Sequence, residues 1–317
     1  MLSDDVRILL RCPVCGSAVK SAESEIDCTN EQCASVFPLV DGIPIMIDEQ
    51  ASIFDIQDFL ERKDTFFPLS KKTRLREFLK RLLPKQNSDR VNKETYRRFA
   101  DMLAARPSKA RVLVVGGSVL GQGMEPLTSN PNIELVETDV SFGPRTSIIC
   151  DAHSIPFADC SFDGVICQAV LEHVVDPVQC VSEFHRVLKD DGLVYVDSPF
   201  MQQVHSGRYD FTRFTHLGHR RLLRHFEEIE SGPVGGPAVV LAWSYQYFLT
   251  GFSTHMTVRR ALRAFARLSG FWLRYCDRLL INKPGAFDSG TGYYFICRKS
   301  DKVLSDRELV KQYRGAG

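Results

Sequence analysis

The sequence has no apolar run long enough to cross a membrane. A spanning helix needs ~18–20 uninterrupted apolar residues, and the best stretch, AVVLAWSYQYFLTGF from Ala238, is shorter and carries polar residues. A secretory leader is not expected from MLSDDVRILLRCP, which has acids where a signal peptide needs bases. There is no overall charge bias, with 40 Lys and Arg against 39 Asp and Glu, so the total gives no pull toward nucleic acid or a charged surface. The dinucleotide spelling Gly-x-Gly-x-x-Gly is absent after the first glycine-bearing strand. These absences leave an ordinary globular chain, expected in the cytoplasm, whose 317 residues suffice for one large domain or two smaller ones. In such a chain ten cysteines argue for metal or free thiols rather than disulfides.

The near-neutral total hides opposite blocks. Residues 1–58 hold 11 acids against 3 bases, and residues 71–98 hold 11 bases against 3 acids. Such blocks either dock on one another or leave the basic one to meet an external anion.

Four cysteines form the pattern Cys12-x2-Cys15-x12-Cys28-x4-Cys33. Two cysteine pairs on tight turns suit tetrahedral Zn²⁺. Four protein ligands leave no place for water, so the metal's expected work is to fold a module with little core of its own. VFPLVDGIPIMI follows, alternates apolar residues about Asp41-Gly42 and reads as a hairpin. Together these features resemble the small zinc-ribbon protein that partners and activates several tRNA and protein methyltransferases. The resemblance covers roughly residues 6–50 and implies a fused ribbon over 1–50 with no chemistry of its own.

Residues 51–108 read as a helical linker or cap. Apolar spacing recurs in DFLERKDTFF and RLREFLKRLL, Pro84 closes the second, and ETYRRFADML makes a further helix ended by Pro107.

From Arg111, strand and helix signals alternate. RVLVVGG, IELVETDV, FDGVICQAVLEHV and GLVYVDSPF read as strands, and DPVQCVSEFHRVLKDDG as a helix stopped by Gly192. The alternation predicts an α/β fold, a Rossmann-like doubly wound parallel sheet with ligands beyond the carboxyl ends of its strands. Gly116, Gly117, Gly121 and Gly123 follow the first strand, where a missing Cβ lets backbone approach a cofactor. Asp139 ends the second, placed to accept from both ribose hydroxyls. Asp151 follows the short strand SIIC, placed to accept from an adenine amine. Gln168, Leu171, Glu172 and His173 follow the third. A nicotinamide dinucleotide needs the spaced glycines to seat its pyrophosphate at a helix N-terminus. Here the first two glycines are adjacent, which favours a donor without phosphate.

DAHSIPFADCSFDGVICQAVLEHVVDP, followed by EFHRVLKDDGLVYVDSPF, resembles class I S-adenosylmethionine-dependent methyltransferases of the type 11 group. The resemblance covers about residues 110–225, with GYYFICRKS as a closing strand. It implies a methyltransferase domain over 109–317. The Gly116–Gly123 loop would contact the methionine part, Asp139 the ribose, and Asp151, Ala152 and His153 the adenine, with Gln168 closing over the cofactor. Val114 departs from the pattern, because many members have an acid there for the cofactor's amino group. Glu137 and Gln122 are the candidates to replace it.

The segment HSGRYDFTRFT resembles the His…Asp-Tyr-Trp-Arg-Phe-Thr signature of type 11 enzymes linked to glycan or secondary-metabolite pathways. It implies that His205, Tyr209, Asp210 and Arg213 lie where an acceptor sits: His205 as the base, Asp210 as its orienter or alternate, and Tyr209 as a further catalytic candidate. His173 reads as pocket-lining, and His216, His219 and His225 as surface residues. Methyl transfer from a sulfonium is an in-line displacement, in which the protein positions the acceptor and, for a hydroxyl, supplies a base. The Asn/Asp-Pro-Pro-Tyr-like tetrapeptide used for planar amino groups is absent after FDGVICQ, which favours an oxygen acceptor.

An insertion over about 238–285 carries one more signal. Between Val258 and Ile281 the arginines at 259, 260, 263, 267, 274 and 278 share one side of a helical wheel, opposite Val258, Phe265, Leu268, Trp272, Tyr275 and Leu279. Gly270 is placed to break the helix in two. The pattern suits a helix lying on an anionic membrane surface; the alternatives are packing on the domain and a homodimer contact. The expectation is a cytoplasmic, zinc-bearing methyltransferase that uses S-adenosylmethionine on a small-molecule or glycan acceptor, with a lipid-linked acceptor and peripheral contact at the inner membrane face as further readings. One alternative is an RNA or protein methyltransferase that holds its substrate or partner with the ribbon, although an acidic ribbon disfavours nucleic acid. Another is a non-catalytic scaffold with a degenerate donor pocket.

Overall fold

The structure, a computed structural model, describes residues 2–63, 65 and 90–317. The expected helix RLREFLKRLL, Pro84 and most of the basic block lie outside these residues. The N-terminal segment forms β1 (Val19–Ser21), β2 (Glu25–Cys28), β3 (Val36–Val40) and β4 (Ile43–Met46). Then come β5 (Ala110–Val115), β6 (Ile133–Asp139), β7 (Ile148–Cys150), β8 (Phe162–Gln168), β9 (Leu188–Pro199), β10 (Phe226–Gly235) and β11 (Gly292–Lys299). All lie in one sheet, ordered β1-β2-β3-β4-β7-β6-β5-β8-β9-β11-β10. From β4 to β9 neighbours are parallel, and β11 and β10 close the far edge antiparallel.

The central strands are near-unbroken apolar runs because both of their faces are covered. Alternation along the strands sends Leu113, Val115, Cys167 and Val196 to one side, against Cys180 and Phe184 of the helix Pro177–Val187. It sends Val112, Val114, Ile166 and Tyr195 to the other, against Tyr96, Phe99 and Leu103 of the helix Arg90–Ala104. The Tyr96 and Tyr195 rings stack with centroids 4.3 Å apart. Pro177 opens its helix and the Asp176 carboxylate accepts from the Val178 and Gln179 amides. This helix ends at Val187, not at Gly192 as the periodicity suggested. Leu188 is already paired with Phe162 in the sheet, and its burial outweighs the helical pattern.

The ribbon segment extends the sheet. β3 and β4 turn about Asp41 and Gly42, both at positive φ, and β4 runs parallel to β7, Ile45 opposite Ile149 and Met46 opposite Cys150. Ile45, Ile47, Ile149 and Phe59 pack as a small core of their own.

Three helices, Pro237–Gly251, Met256–Gly270 and Leu273–Leu280, form the insertion, with the amphipathic stretch divided after Gly270. The Asp277 carboxylate accepts from the Gly236, Ala238 and Val239 amides at 2.9–3.1 Å, capping the first of these helices from the third. The apolar side of the insertion faces outward: Phe248 is 64% exposed, Leu268 58%, Trp272 54% and Leu279 75%. Packing of that side on the domain is therefore not what the structure shows. Among the described residues no helix is long and apolar enough to cross a membrane.

Two histidines differ from expectation. His216 and His219 are buried, with His216 centred 5.0 Å and His219 4.8 Å from the Phe295 ring. Their helix, His216–Leu222, lies on β11, and burial pushes His216 down to about 4 and His219 to about 3. His225 is exposed, as expected.

Candidate active site

A cavity of about 550 Å³ opens beyond the carboxyl ends of the parallel strands. Gly116 and Gly121 line it, as do Asp139, Asp151, Ala152, His153 and Gln168. Gly116 has φ +76°, and a Cβ there would meet Val170 Cγ2 at 2.4 Å; one on Gly121 would meet Gln168 Oε1 at 2.1 Å. Gly117 and Gly123 are not among the lining residues. The Gly117 amide donates to the Thr138 carbonyl at 2.8 Å, and Gly123 packs against Asn92.

Asp139 is buried, and its Oδ2 accepts from the Ser118 amide at 2.9 Å. Burial raises its pKa despite that bond. Asp151 accepts from the Ser52 hydroxyl at 2.6 Å and the His153 amide at 3.0 Å, and pairs with the His153 ring. Burial alone would raise Asp151; the His153 ring and the two hydrogen bonds hold it below the usual carboxylate range. Ile53 and Phe54 line the wall beside it, so the chain leaving the ribbon closes this end of the cavity. Gln168 Nε2 donates to the Gln122 carbonyl at 3.2 Å, and its buried Oε1 has no partner among the described residues.

Val114 lines the cavity, as does Gln122. Glu137 does not: it is buried and tied to Arg145, so it is not the replacement for the missing acid. The structure offers Asp197 instead, which the sequence reading missed. It stands level with Gln168 in the ladder, on the face of the sheet that carries Val114, and it lines the cavity. It accepts from the Ala169 amide at 3.1 Å and Tyr195 Oη at 3.2 Å, and burial pushes it up to about 6. Its signal was a carboxylate at the end of an otherwise apolar strand, VYVDSP.

The four ribbon cysteines converge, Cys12 and Cys33 Sγ 3.8 Å apart and Cys15 and Cys28 Sγ 3.5 Å apart, with all four sulfurs within 4.8 Å of one another. These separations fit thiolates around one tetrahedral ion with bonds of ~2.3 Å.

Residues 125–196 match a family model described as "Methyltransferase domain". A 114-residue stretch, 31% of this chain, is 32% identical to the ubiquinone/menaquinone biosynthesis C-methyltransferase UbiE of Geotalea uraniireducens (strain Rf4). Residues 125–196 are thus those of a methyltransferase domain. The chain spans about half the length (48%) of that relative. The N-terminal region of the chain belongs to the UPF0434 family. It is 40% identical over 52 residues to the UPF0434 protein of Nitrosococcus oceani, covering 16% of this chain and 85% of that protein. Among solved structures, phosphoethanolamine N-methyltransferase 2 of Haemonchus contortus superposes with a TM-score of 0.41 at 17% identity, over 74% of this chain and 62% of that one.

The cavity is also lined by His173, His205, Ser206 and, from the insertion, Trp243. His173 Nδ1 is 2.6 Å from the Tyr209 carbonyl, so Nδ1 carries the proton and Nε2 turns inward. Burial pushes His173 down to about 4. His205 Nδ1 lies 3.4 Å from Asp210 Oδ2, and Asp210 is held by Arg213. Although burial acts to raise it, the Arg213 guanidinium and the His205 amide hold Asp210 down at about 2. Asp210 thus stands behind His205. Tyr209 does not line the cavity: its hydroxyl accepts from Arg208 at 2.8 Å and its ring lies 5.9 Å from that of Phe54. Beneath both imidazoles is Glu172, fully buried and pushed up to about 8 by burial.

Proposed function

We propose that the chain transfers a methyl group from S-adenosylmethionine to an oxygen of a small-molecule or glycan acceptor presented at a lipid surface. One observation carries the reading: a single cavity is lined by the residues we read as donor-binding, by His205, and by Trp243 of the outward-facing apolar insertion.

The bound donor supplies a sulfonium methyl, whose carbon–sulfur bond breaks as the carbon–oxygen bond forms. The residues fit it. Asp139, whose Oδ2 accepts from the Ser118 amide, would hold the ribose hydroxyls. Asp151, Ala152 and His153 would take the adenine edge, in a wall that Phe54 also lines. The glycines keep the loop low enough for the methionine part, and Asp197 provides the carboxylate that Val114 lacks, aided by Gln168. On the acceptor side, Asp210 orients His205, which would help the hydroxyl lose its proton, directly or through a bound group.

The exposed Phe248, Phe252, Phe265, Leu268, Trp272 and Leu279 stand beside the exposed Arg260, Arg263 and Arg278, a combination that suits an anionic lipid surface. Zn²⁺ is our assignment for the Cys12, Cys15, Cys28 and Cys33 cluster, in a structural role, and the ribbon, helical segment and donor-binding part are read as its three working units. Calorimetric titration of the full chain with S-adenosylmethionine and S-adenosylhomocysteine tests the core of this. Saturable heat is expected for both, and no heat up to millimolar donor would overturn it.

A further inference from the structure

Glu172, His173 and His205 meet in a way that activation by a lone imidazole does not explain. Glu172 has no exposed surface, and neither carboxylate oxygen has a hydrogen-bond partner among the described residues. A buried carboxylate left so is costly unless something binds it. Facing its Oε1 are His173 Nε2 at 3.5 Å and His205 Nε2 at 3.9 Å, and these three atoms lie within 4.8 Å of one another.

These separations are too long for hydrogen bonds, which close at ~2.7–3.2 Å. They are right for atoms that share one ion with bonds of ~2.0–2.2 Å, since neighbouring ligands then stand roughly 3–4 Å apart. The far nitrogens strengthen the case. His173 Nδ1 donates to the Tyr209 carbonyl and His205 Nδ1 faces the Asp210 carboxylate, so each ring is turned to aim Nε2 at Glu172. An oxygen behind each imidazole is the arrangement that orients histidine ligands toward a metal. Both rings line the cavity, and the Ser206 hydroxyl lies 3.4 Å from His173 Nε2.

We propose that Glu172, His173 and His205 bind one divalent transition-metal ion, separate from the cysteine cluster, with open coordination positions facing the acceptor half of the cavity. Two imidazoles and one carboxylate suit Zn²⁺, Fe²⁺ or Mn²⁺ rather than Ca²⁺ or Mg²⁺, which prefer oxygen alone. The ion's role rests on the oxygen-acceptor reading above. An acceptor hydroxyl bound to it loses its proton to water more readily. The oxygen then takes the methyl carbon as the carbon–sulfur bond breaks, and that electron pair stays on sulfur. His205 in this arrangement acts through the ion and not as a free base.

The test counts ions on the full chain. Metal-depleted protein is titrated with Co²⁺, which reports thiolate ligation by its intense charge-transfer band and nitrogen–oxygen ligation by weak visible bands alone. Wild type is expected to bind two equivalents. His205→Ala and Glu172→Gln are each expected to bind one and to keep the thiolate band, and Cys28→Ser to lose that band and keep the other ion. A wild-type count of one, or a count of two retained in His205→Ala, overturns the proposal. His205 is partly exposed, so its variant keeps the test open if Glu172→Gln does not fold. Donor calorimetry on the same samples separates the two readings. Two ions without donor binding would sink the methyl-transfer reading alone, and donor binding with one ion would sink the metal site alone.

Discussion

The Ser52 hydroxyl donates to Asp151 Oδ2 at 2.6 Å, joining residues 99 positions apart. Through this contact the chain leaving the ribbon helps to hold the acid at the end of β7, and Phe54 covers the same wall. The N-terminal segment is thus part of the wall of the proposed donor pocket as well as an extension of the sheet. Ser52→Ala is expected to weaken donor binding about three- to tenfold, on the order of 1 kcal/mol, as suits one hydrogen bond to a charged group. Calorimetry reads this directly, and an unchanged affinity would show that the segment only covers the site.

Gly121 tests the close approach of the loop. An added Cβ meets Gln168 Oε1 at 2.1 Å and Met124 Sδ at 2.6 Å, both ends of flexible side chains that can move. Gly121→Ala should therefore leave the melting temperature within a few degrees while lowering donor affinity at least tenfold, because Gln168 is displaced. Equal losses in stability and affinity would point to the fold instead.

Asp197 makes a pH prediction. Its carboxyl titrates near 6 when folded, against about 4 in an unfolded chain. The folded state therefore keeps the proton longer, and this group's contribution to stability is intact below pH 4 and lost as pH rises through 6. Asp197→Asn escapes that loss. Melting curves of the two proteins should diverge in the variant's favour between pH 4 and 7, by at most about 3 kcal/mol, while the variant binds donor more weakly. Parallel curves would show that Asp197 is ionised without cost.

The exposed side of the insertion predicts behaviour with lipid. Full-length protein should float with vesicles rich in anionic lipid and stay behind with neutral ones. Phe265→Glu with Trp272→Glu should abolish flotation and leave donor affinity unchanged. Flotation that survives the double change would move the contact elsewhere.

Loss of one thiolate should reach the sheet. Cys28→Ser is expected to release the ribbon's ion and loosen β4, so that the Ile149 and Cys150 amides of β7 lose hydrogen-exchange protection while those of β8 keep theirs. Uniform protection would mean that β4 holds its place without the metal.

Much of the fold, and of the lining of the cavity, was legible in the order of residues because the information is local. Glycines after β5, acids ending β6 and β7, paired cysteines and the Asp41-Gly42 turn each declare themselves within a few positions, through backbone freedom, burial pattern or ligand spacing. What could not be read locally was partnership. Glu137 looked available until Arg145 was seen to occupy it, Asp197 went unread, and His216 and His219 looked exposed until β11 was seen behind their helix. Leu188 read as helix until its pairing with Phe162 drew it into β9. Glu172 was one residue of a common motif until two imidazoles 3.5 and 3.9 Å away gave it a chemistry. The residue types were set by the chain, but contacts spanning tens of positions decide which carboxylates stay open to a ligand, and only the folded structure brings those contacts together.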